Sequence, residues 1–251
     1  MFRMLSQQST GMPAIVYLPG IDGSGALVSH FLSKAESTFP LIRLHYPGHS
    51  RLNLEELADG CVGALAERDQ TGVIWLGDSF GSAVALSIAL RHPQVTKGVI
   101  LAGGFSKGPN PFRLLLMARA WDSAPKHWRK KFVRNRLTRL SRRSPSAIPC
   151  SCVDEVVSNG HLDYISWRLR LISTFDVRDA LSSLSSPVLY LGGEDDGIVN
   201  TIEESRIFRE KVQECRTFLF PECGHAVLAE RSAECLDLID MFVPLAKRVA
   251  A

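Results

Sequence analysis

The sequence predicts an α/β protein, with a mostly parallel sheet of about six strands, helices on both faces and an inserted helical cap. Three observations carry this. Short apolar runs alternate with helix-length amphipathic stretches, as parallel strands joined by crossover helices require. The runs at 14–18 and from Val73 are apolar throughout and read as buried strands. The alternation halts and later resumes, so the chain reads as a first core part, 1–108, a helical cap, 109–180, and a second core part, 181–251. At 251 residues, 45% hydrophobic and 22% charged, it can bury one full core.

Ala14-Ile15-Val16-Tyr17-Leu18 is the first buried strand, and it runs into Pro19-Gly20-Ile21-Asp22-Gly23-Ser24-Gly25. A phosphate cradle would need Lys-Ser/Thr at the end of that loop, and a dinucleotide site would need Gly-x-Gly-x-x-Gly. Neither is present, which leaves an oxyanion-binding loop or merely a tight turn. Residues 26–39 place Leu27, Phe31, Leu32 and Ala35 on one helical face, and 41–44 form a second strand. After the loop Tyr46-Pro47-Gly48-His49-Ser50, Asn53 caps a helix with Glu56 at its third position. A strand from Val73 leads to Gly77-Asp78-Ser79-Phe80-Gly81 and an Ala/Leu/Ile-rich helix ending at His92-Pro93, and 98–102 are a further strand.

Three helical stretches follow, 112–121, 126–140 and 162–175, separated by Ser/Pro-rich breaks at 123–125 and 141–149. Strand character returns at 187–191 and leads into the acidic turn Gly193-Glu194-Asp195-Asp196-Gly197. Asn200 or Thr201 then caps a helix, and 216–220 form the last strand. Pro221-Glu222-Cys223-Gly224-His225-Ala226 turns into a C-terminal helix.

Charge is segregated. The net charge is +3, yet residues 113–143 carry eleven Lys/Arg against the single Asp122, about +10, leaving about −7 elsewhere. This stripe is interleaved with Trp121, Trp128, Phe132, Leu137 and Leu140. It is either a solvated helix face or a surface that steers an acidic partner: an acyl carrier protein, a CoA thioester or an anionic membrane surface. Nucleic acid is disfavoured, since no recognised binding module is present. Cys150-x-Cys152 lacks metal-site spacing, and six scattered cysteines fit reduced thiols, so no metal or cofactor is expected. With no leader-like or membrane-length apolar segment, the expected location is cytoplasmic.

Ser79 at the apex of a strand-to-helix turn, with glycines two residues either side, holds a nucleophile's position, although an ordinary turn would read the same way. A serine hydroxyl needs a base, and an imidazole base needs a carboxylate to hold its tautomer. His225 on its glycine turn, and Asp195 or Asp196 before it, supply these in the order Ser, Asp, His, each just past a strand. His30, His45, His49, His92, His127 and His161 read as surface or loop residues. Asp78 is either a second carboxylate tuning His225 or simply solvated.

Together these stretches resemble the α/β-hydrolase superfamily over nearly the whole chain. Leu18-Pro19-Gly20-Ile21 is similar to its oxyanion loop, Tyr46 to Ser50 to its Pro-Gly-His segment, and Gly77 to Gly81 to its nucleophile elbow. Gly193 to Val199 is similar to the acid turn, and Gly224-His225 to the histidine loop. The wording Leu-Pro-Gly-Ile-Asp-Gly-Ser-Gly is similar to that of small bacterial and plastid ester hydrolases and acyltransferases. The resemblance implies Ser79 as nucleophile, His225 as base and Asp196 as acid, preferred over Asp195 for its spacing to Ile198-Val199. It implies the Ile21 and Phe80 N–H groups as oxyanion hole. The implied activity is cleavage of a carboxylic ester or thioester through an acyl-enzyme, with acyl transfer or a silent binding role as alternatives. Pro19 stands where many members carry His, Asn200 where Pro is frequent, and the short stretch before Ala14 implies that the family's first two strands are truncated or absent.

Overall fold

A computed structural model describes residues 3–5, 12–47, 51–67, 72–140 and 149–248. The strands are β1 (Arg3–Leu5), β2 (Ile15–Leu18), β3 (Leu41–His45), β4 (Val73–Asp78), β5 (Thr96–Ala102), β6 (Val188–Gly193) and β7 (Cys215–Phe220). They form one sheet in the order β1-β3-β2-β4-β5-β6-β7. The six from β2 to β7 are parallel, as the apolar runs require. The short N-terminal stretch does form a strand: β1 pairs antiparallel with β3, Met4 opposite Leu44, and finishes that edge.

The helices are α1 (Ser29–Thr38), α2 (Leu54–Ala66), α3 (Phe80–Arg91), α4 (Pro111–Ser123), α5 (Lys126–Leu140), α6 (Cys150–Asn159), α7 (Ile165–Thr174), α8 (Thr201–Lys211), α9 (Val227–Glu230) and α10 (Ser232–Arg248). Because side chains alternate across a strand, each apolar run feeds two cores. Val16, Leu18, Trp75, Val99, Leu101 and Tyr190 pack against Leu57 of α2, Val84 of α3 and Phe208 of α8. Ile15, Tyr17, Ile74, Leu76, Ile100 and Leu191 pack under Phe31 and Leu32 of α1 and under Ile239 and Phe242 of α10. Local signals set the helix starts. Asn53 Oδ1 accepts from Glu56 N at 2.9 Å while Glu56 Oε2 accepts from Asn53 N at 2.8 Å. Asn200, rather than Thr201, caps α8, accepting from Glu203 N at 3.2 Å.

Helices α4 to α7 lie between β5 and β6 in the chain, above the carboxyl edge of the sheet. They enclose a small core of Ala118, Trp121, Val133, Val156, Ile165 and Leu169. Helix α6 has no counterpart in the expected element list, since Cys, Val, Ser and Asn are weak helix formers. Packing of Val153, Val156 and Val157 holds it instead. Residues 141–148, with Arg142 and Arg143, and Gly48, His49 and Ser50 lie outside the described residues.

The chain enters and leaves this helical insertion side by side. Lys107 bridges to Asp176 through an antiparallel backbone pairing and a 2.9 Å ion pair. Val177 N donates to Ser106 O at 2.9 Å, and Gly108 N to Phe175 O at 2.8 Å. Behind them the buried Glu204 of α8 accepts from Ser106 N and Oγ, both at 2.6 Å, and from Arg178 Nη2 at 2.8 Å. One carboxylate thus ties both ends of the insertion to the core. Glu204→Ala leaves these donors without their acceptor and is expected to cost about 3 kcal/mol of stability, read as a lowered midpoint in urea unfolding. An unchanged midpoint would show that the stem holds without it.

Candidate active site

Strand β4 runs directly into α3, and Ser79 sits between them at φ 52°, ψ −111°. A side chain other than glycine at positive φ costs roughly 1–3 kcal/mol, so the surroundings must enforce it. They do so by close packing. Ser79 N donates across to Ala102 O of β5 at 2.9 Å. A Cβ on Gly81 would overlap the Leu18 carbonyl oxygen at the end of β2, and one on Gly77 would stand 2.5 Å from Gly81 O. The two flanking glycines therefore serve the close passage of three backbone segments.

His225 lies on the turn after β7, buried, with Nε2 2.8 Å from Ser79 Oγ. Its Nδ1 is 2.7 Å from Asp196 Oδ2 on the turn after β6. The other carboxylate oxygen of Asp196 accepts from Ile198 N at 2.7 Å and Val199 N at 3.0 Å. An ionised carboxylate only accepts, so Nδ1 carries the proton and Nε2 is free to accept from the serine hydroxyl. Burial raises the pKa of Asp196, but the charge and hydrogen bond of His225 and the two amides outweigh it and hold it below the usual carboxylate value. For His225 burial favours the neutral ring, yet the charge and hydrogen bond of Asp196, with smaller help from Asp78 and Glu230, leave its pKa raised.

Asp195, the alternative acid, is exposed, and it is Asp196 whose carboxylate meets the imidazole. Among the other described histidines, His92 pairs with Asp59 at 2.7 Å, and none joins the row. Asp78 is not on the outer surface. It lines the cavity beside Ser79, accepts from Tyr17 Oη at 3.2 Å, and is pushed up to about 6 by burial, against the charge of His225 and the Tyr17 hydrogen bond.

The loop after β2 curls over the serine, with Gly23 N donating to Gly20 O at 2.9 Å and Asp22 Oδ2 accepting from the Ser24 hydroxyl. Among the described residues the amides of Ile21 and Phe80 donate to no protein acceptor, and Phe80 N belongs to the first turn of α3, where a helix leaves its donors open. The loop is held from above by a residue that carried no sequence signal. Arg168 of α7, 4% exposed, donates from Nη1 to Ile21 O at 2.6 Å, and its guanidinium lies 5.2 Å from the ring centroid of Tyr46 and 5.9 Å from that of Phe80.

Above Ser79 opens a cavity of about 530 Å³, floored by Gly20, Asp78, Ser79 and His225 and walled by Leu114, Met117, Trp121, Val133, Leu137 and Ile165 of the insertion. The aromatic residues of the basic stripe part company here. Trp121 is buried, with Nε1 donating to Leu162 O at 2.9 Å, while Trp128 and Phe132 stand exposed at the mouth. All six cysteines are unpaired, and among the described residues no cluster of His, Cys, Asp or Glu could hold a metal ion.

Chemically, the imidazole is placed to take the serine proton, and the carboxylate keeps it in one tautomer. Several known proteins are similar to this chain. A pimeloyl-[acyl-carrier protein] methyl ester esterase of Vibrio campbellii is 28% identical over 93% of this chain and 96% of its own. Phytyl ester synthase 1 of Arabidopsis thaliana chloroplasts is 22% identical over 90% of this chain and 36% of its own. Among solved structures, the esterase EaEST of Exiguobacterium antarcticum superposes with a TM-score of 0.80 at 15% identity, covering 97% of this chain and 95% of that one. The family model described as serine aminopeptidase, S33 (Hydrolase_4) matches residues 55–232, from the start of α2 to the start of α10, and with that span the chain belongs to this family of α/β-hydrolases.

Proposed function

We propose that the chain cleaves a carboxylic ester or thioester through an acyl-enzyme on Ser79, with His225 as base, Asp196 as the carboxylate that orients it, and the Ile21 and Phe80 amides as oxyanion hole. The observation that carries this reading is the row Ser79 Oγ, His225 Nε2, His225 Nδ1, Asp196 Oδ2, with links of 2.8 and 2.7 Å, at the floor of an apolar cavity. His225 takes the serine proton as the hydroxyl attacks the acyl carbon, then gives it to the leaving alkoxide or thiolate. Water repeats the sequence on the acyl-enzyme. Each oxyanion donor is worth roughly 2.7–4 kcal/mol by comparison with measured cases. The insertion acts as a cap that shapes the acyl pocket, and Arg113 on its wall, which makes no ion pair among the described residues, favours an anionic substrate or carrier. The names of the pimeloyl-[acyl-carrier protein] methyl ester esterases support an ester linked to an acyl carrier protein. Likeness to the phytyl ester synthases supports a second reading, in which an alcohol replaces water in the deacylation step. Added alcohol would then divert product from acid to ester.

Hydrolysis of p-nitrophenyl esters tests the chemistry. Wild-type kcat/KM is expected to rise about fourfold per methylene while the chain still fits, from ~0.8 kcal/mol per buried CH₂, and Ser79→Ala to abolish turnover. Activity that survives the substitution would remove Ser79 from its role.

The pH profile tests the base. A raised His225 pKa means that the neutral base is lost as pH falls, so the acid limb of kcat/KM should lie above pH 6.5, the ordinary histidine value. Asp196→Asn removes the main group that raises it. The limb should move to lower pH while the rate falls by roughly 10⁴-fold, and an unmoved limb would assign it to another group.

A further inference from the structure

Helix α4 turns Leu114, Ala118 and Trp121 inward against α7 and sends the opposite face into water. Phe112, Leu115, Leu116 and Arg119 recur there at i, i+3, i+4 and i+7, one continuous stripe. The next helix, α5, does the same with Trp128 and Phe132. Exposure of these side chains is high: Phe112 76%, Leu116 58%, Trp128 61%, Phe132 48%. Five large apolar groups on two consecutive helices exceed the scattered single residues of an ordinary surface. Exposed cations frame them. Arg113, Arg119, Lys130 and Lys131 make no ion pair among the described residues, and Lys126 stands 4.0 Å from Asp163.

The cavity lies beside this face: Trp128 and Phe132 of α5, both exposed, also line its wall, as does the partly exposed Met117 of α4, whereas the Phe112, Leu115, Leu116 stripe stands outside it. Aromatic and aliphatic side chains flanked by Lys and Arg are the composition that seats a helix in the headgroup region of a bilayer, the rings at the acyl boundary and the cations among the phosphates. A partner surface that offered charge alone would use the cations and leave Phe112 and Leu116 in water. An anionic lipid surface uses both.

We propose that the α4–α5 face docks on an anionic membrane surface, bringing the cavity mouth to the bilayer so that an acyl chain passes from lipid to Ser79 without crossing water. Among the described residues no helix is long and apolar enough to cross a membrane, and the proposed contact is peripheral. The delivery of substrate rests on the ester-hydrolase reading. The docking itself does not.

Co-sedimentation with vesicles of phosphatidylcholine containing phosphatidylglycerol, beside vesicles of phosphatidylcholine alone, tests it. Wild-type protein is expected to bind the anionic vesicles and to release with added salt. Phe112→Ser with Leu116→Ser, and separately Lys130→Glu with Lys131→Glu, should each weaken binding about tenfold or more. None of these four positions lines the cavity, so both double variants should hydrolyse a soluble neutral ester such as p-nitrophenyl butyrate as the wild type does. Ser79→Ala should bind vesicles normally, which separates failure of docking from failure of the chemistry. Absence of wild-type binding, equal binding to neutral vesicles, or undiminished binding by either double variant would overturn the proposal. So would binding of an acidic acyl carrier protein to this face with no vesicle binding.

Discussion

Three backbone segments meet at Gly81 with no room for a side chain, and the rest of the site depends on that contact. The start of α3 is pressed against the end of β2, so the elbow at Ser79 and the loop from Gly20 to Gly25 share one corner of the molecule. A looser join would let Ser79 relax out of its positive φ and would part the Phe80 amide from the Ile21 amide. Strain of roughly 1–3 kcal/mol is thus held in place by packing among Leu18, Gly77 and Ala102, all fixed by the central strands. Buried cores on both faces of the sheet give the corner its rigidity.

The insertion is coupled to the same corner through Arg168. A guanidinium at 4% exposure is costly to bury, and here it is met by one carbonyl and two aromatic faces. Because the carbonyl belongs to Ile21, the position of α7 and the orientation of the loop over Ser79 are set together. Asp78 adds a second coupling from below. Its carboxyl shares the cavity floor with His225 and is tied to Tyr17 of β2, so two carboxylates act on the imidazole, one at the end of β4 and one on the turn after β6. Their difference is geometric: Asp196 meets the ring nitrogen directly, whereas Asp78 acts only through its charge.

Features written in contiguous residues were legible in the sequence. The inner parallel strands declared themselves because both faces are covered and alternation is suppressed, and the Asn53 cap because its partners are three residues apart. Ser79, Asp196 and His225 could each be placed at a strand end, and the fold brings all three within hydrogen-bond reach. Choosing Asp196 over Asp195 needed the resemblance, since adjacent carboxylates differ only in direction. What was hidden depends on distant partners. Helix α6 takes its helicity from neighbours, Arg168 reads as one more cation on a helix, and the burial of Trp121 beside the exposed Trp128 follows from which side of α4 meets α7. The edge strand β1 is three residues long, below the length at which a pattern can register.

The stem of Ser106, Lys107, Asp176 and Arg178 on Glu204 has a consequence for how such a chain can diversify. With the two ends of a 70-residue excursion already pinned side by side, the entropy of closing the loop depends only weakly on its length, about 0.6 kcal/mol per doubling. Helices can be added, lost or reshaped beyond the stem with little effect on the strands below it. The wall and rim of the cavity are therefore free to drift toward new acyl groups while the corner that holds Ser79 stays unchanged.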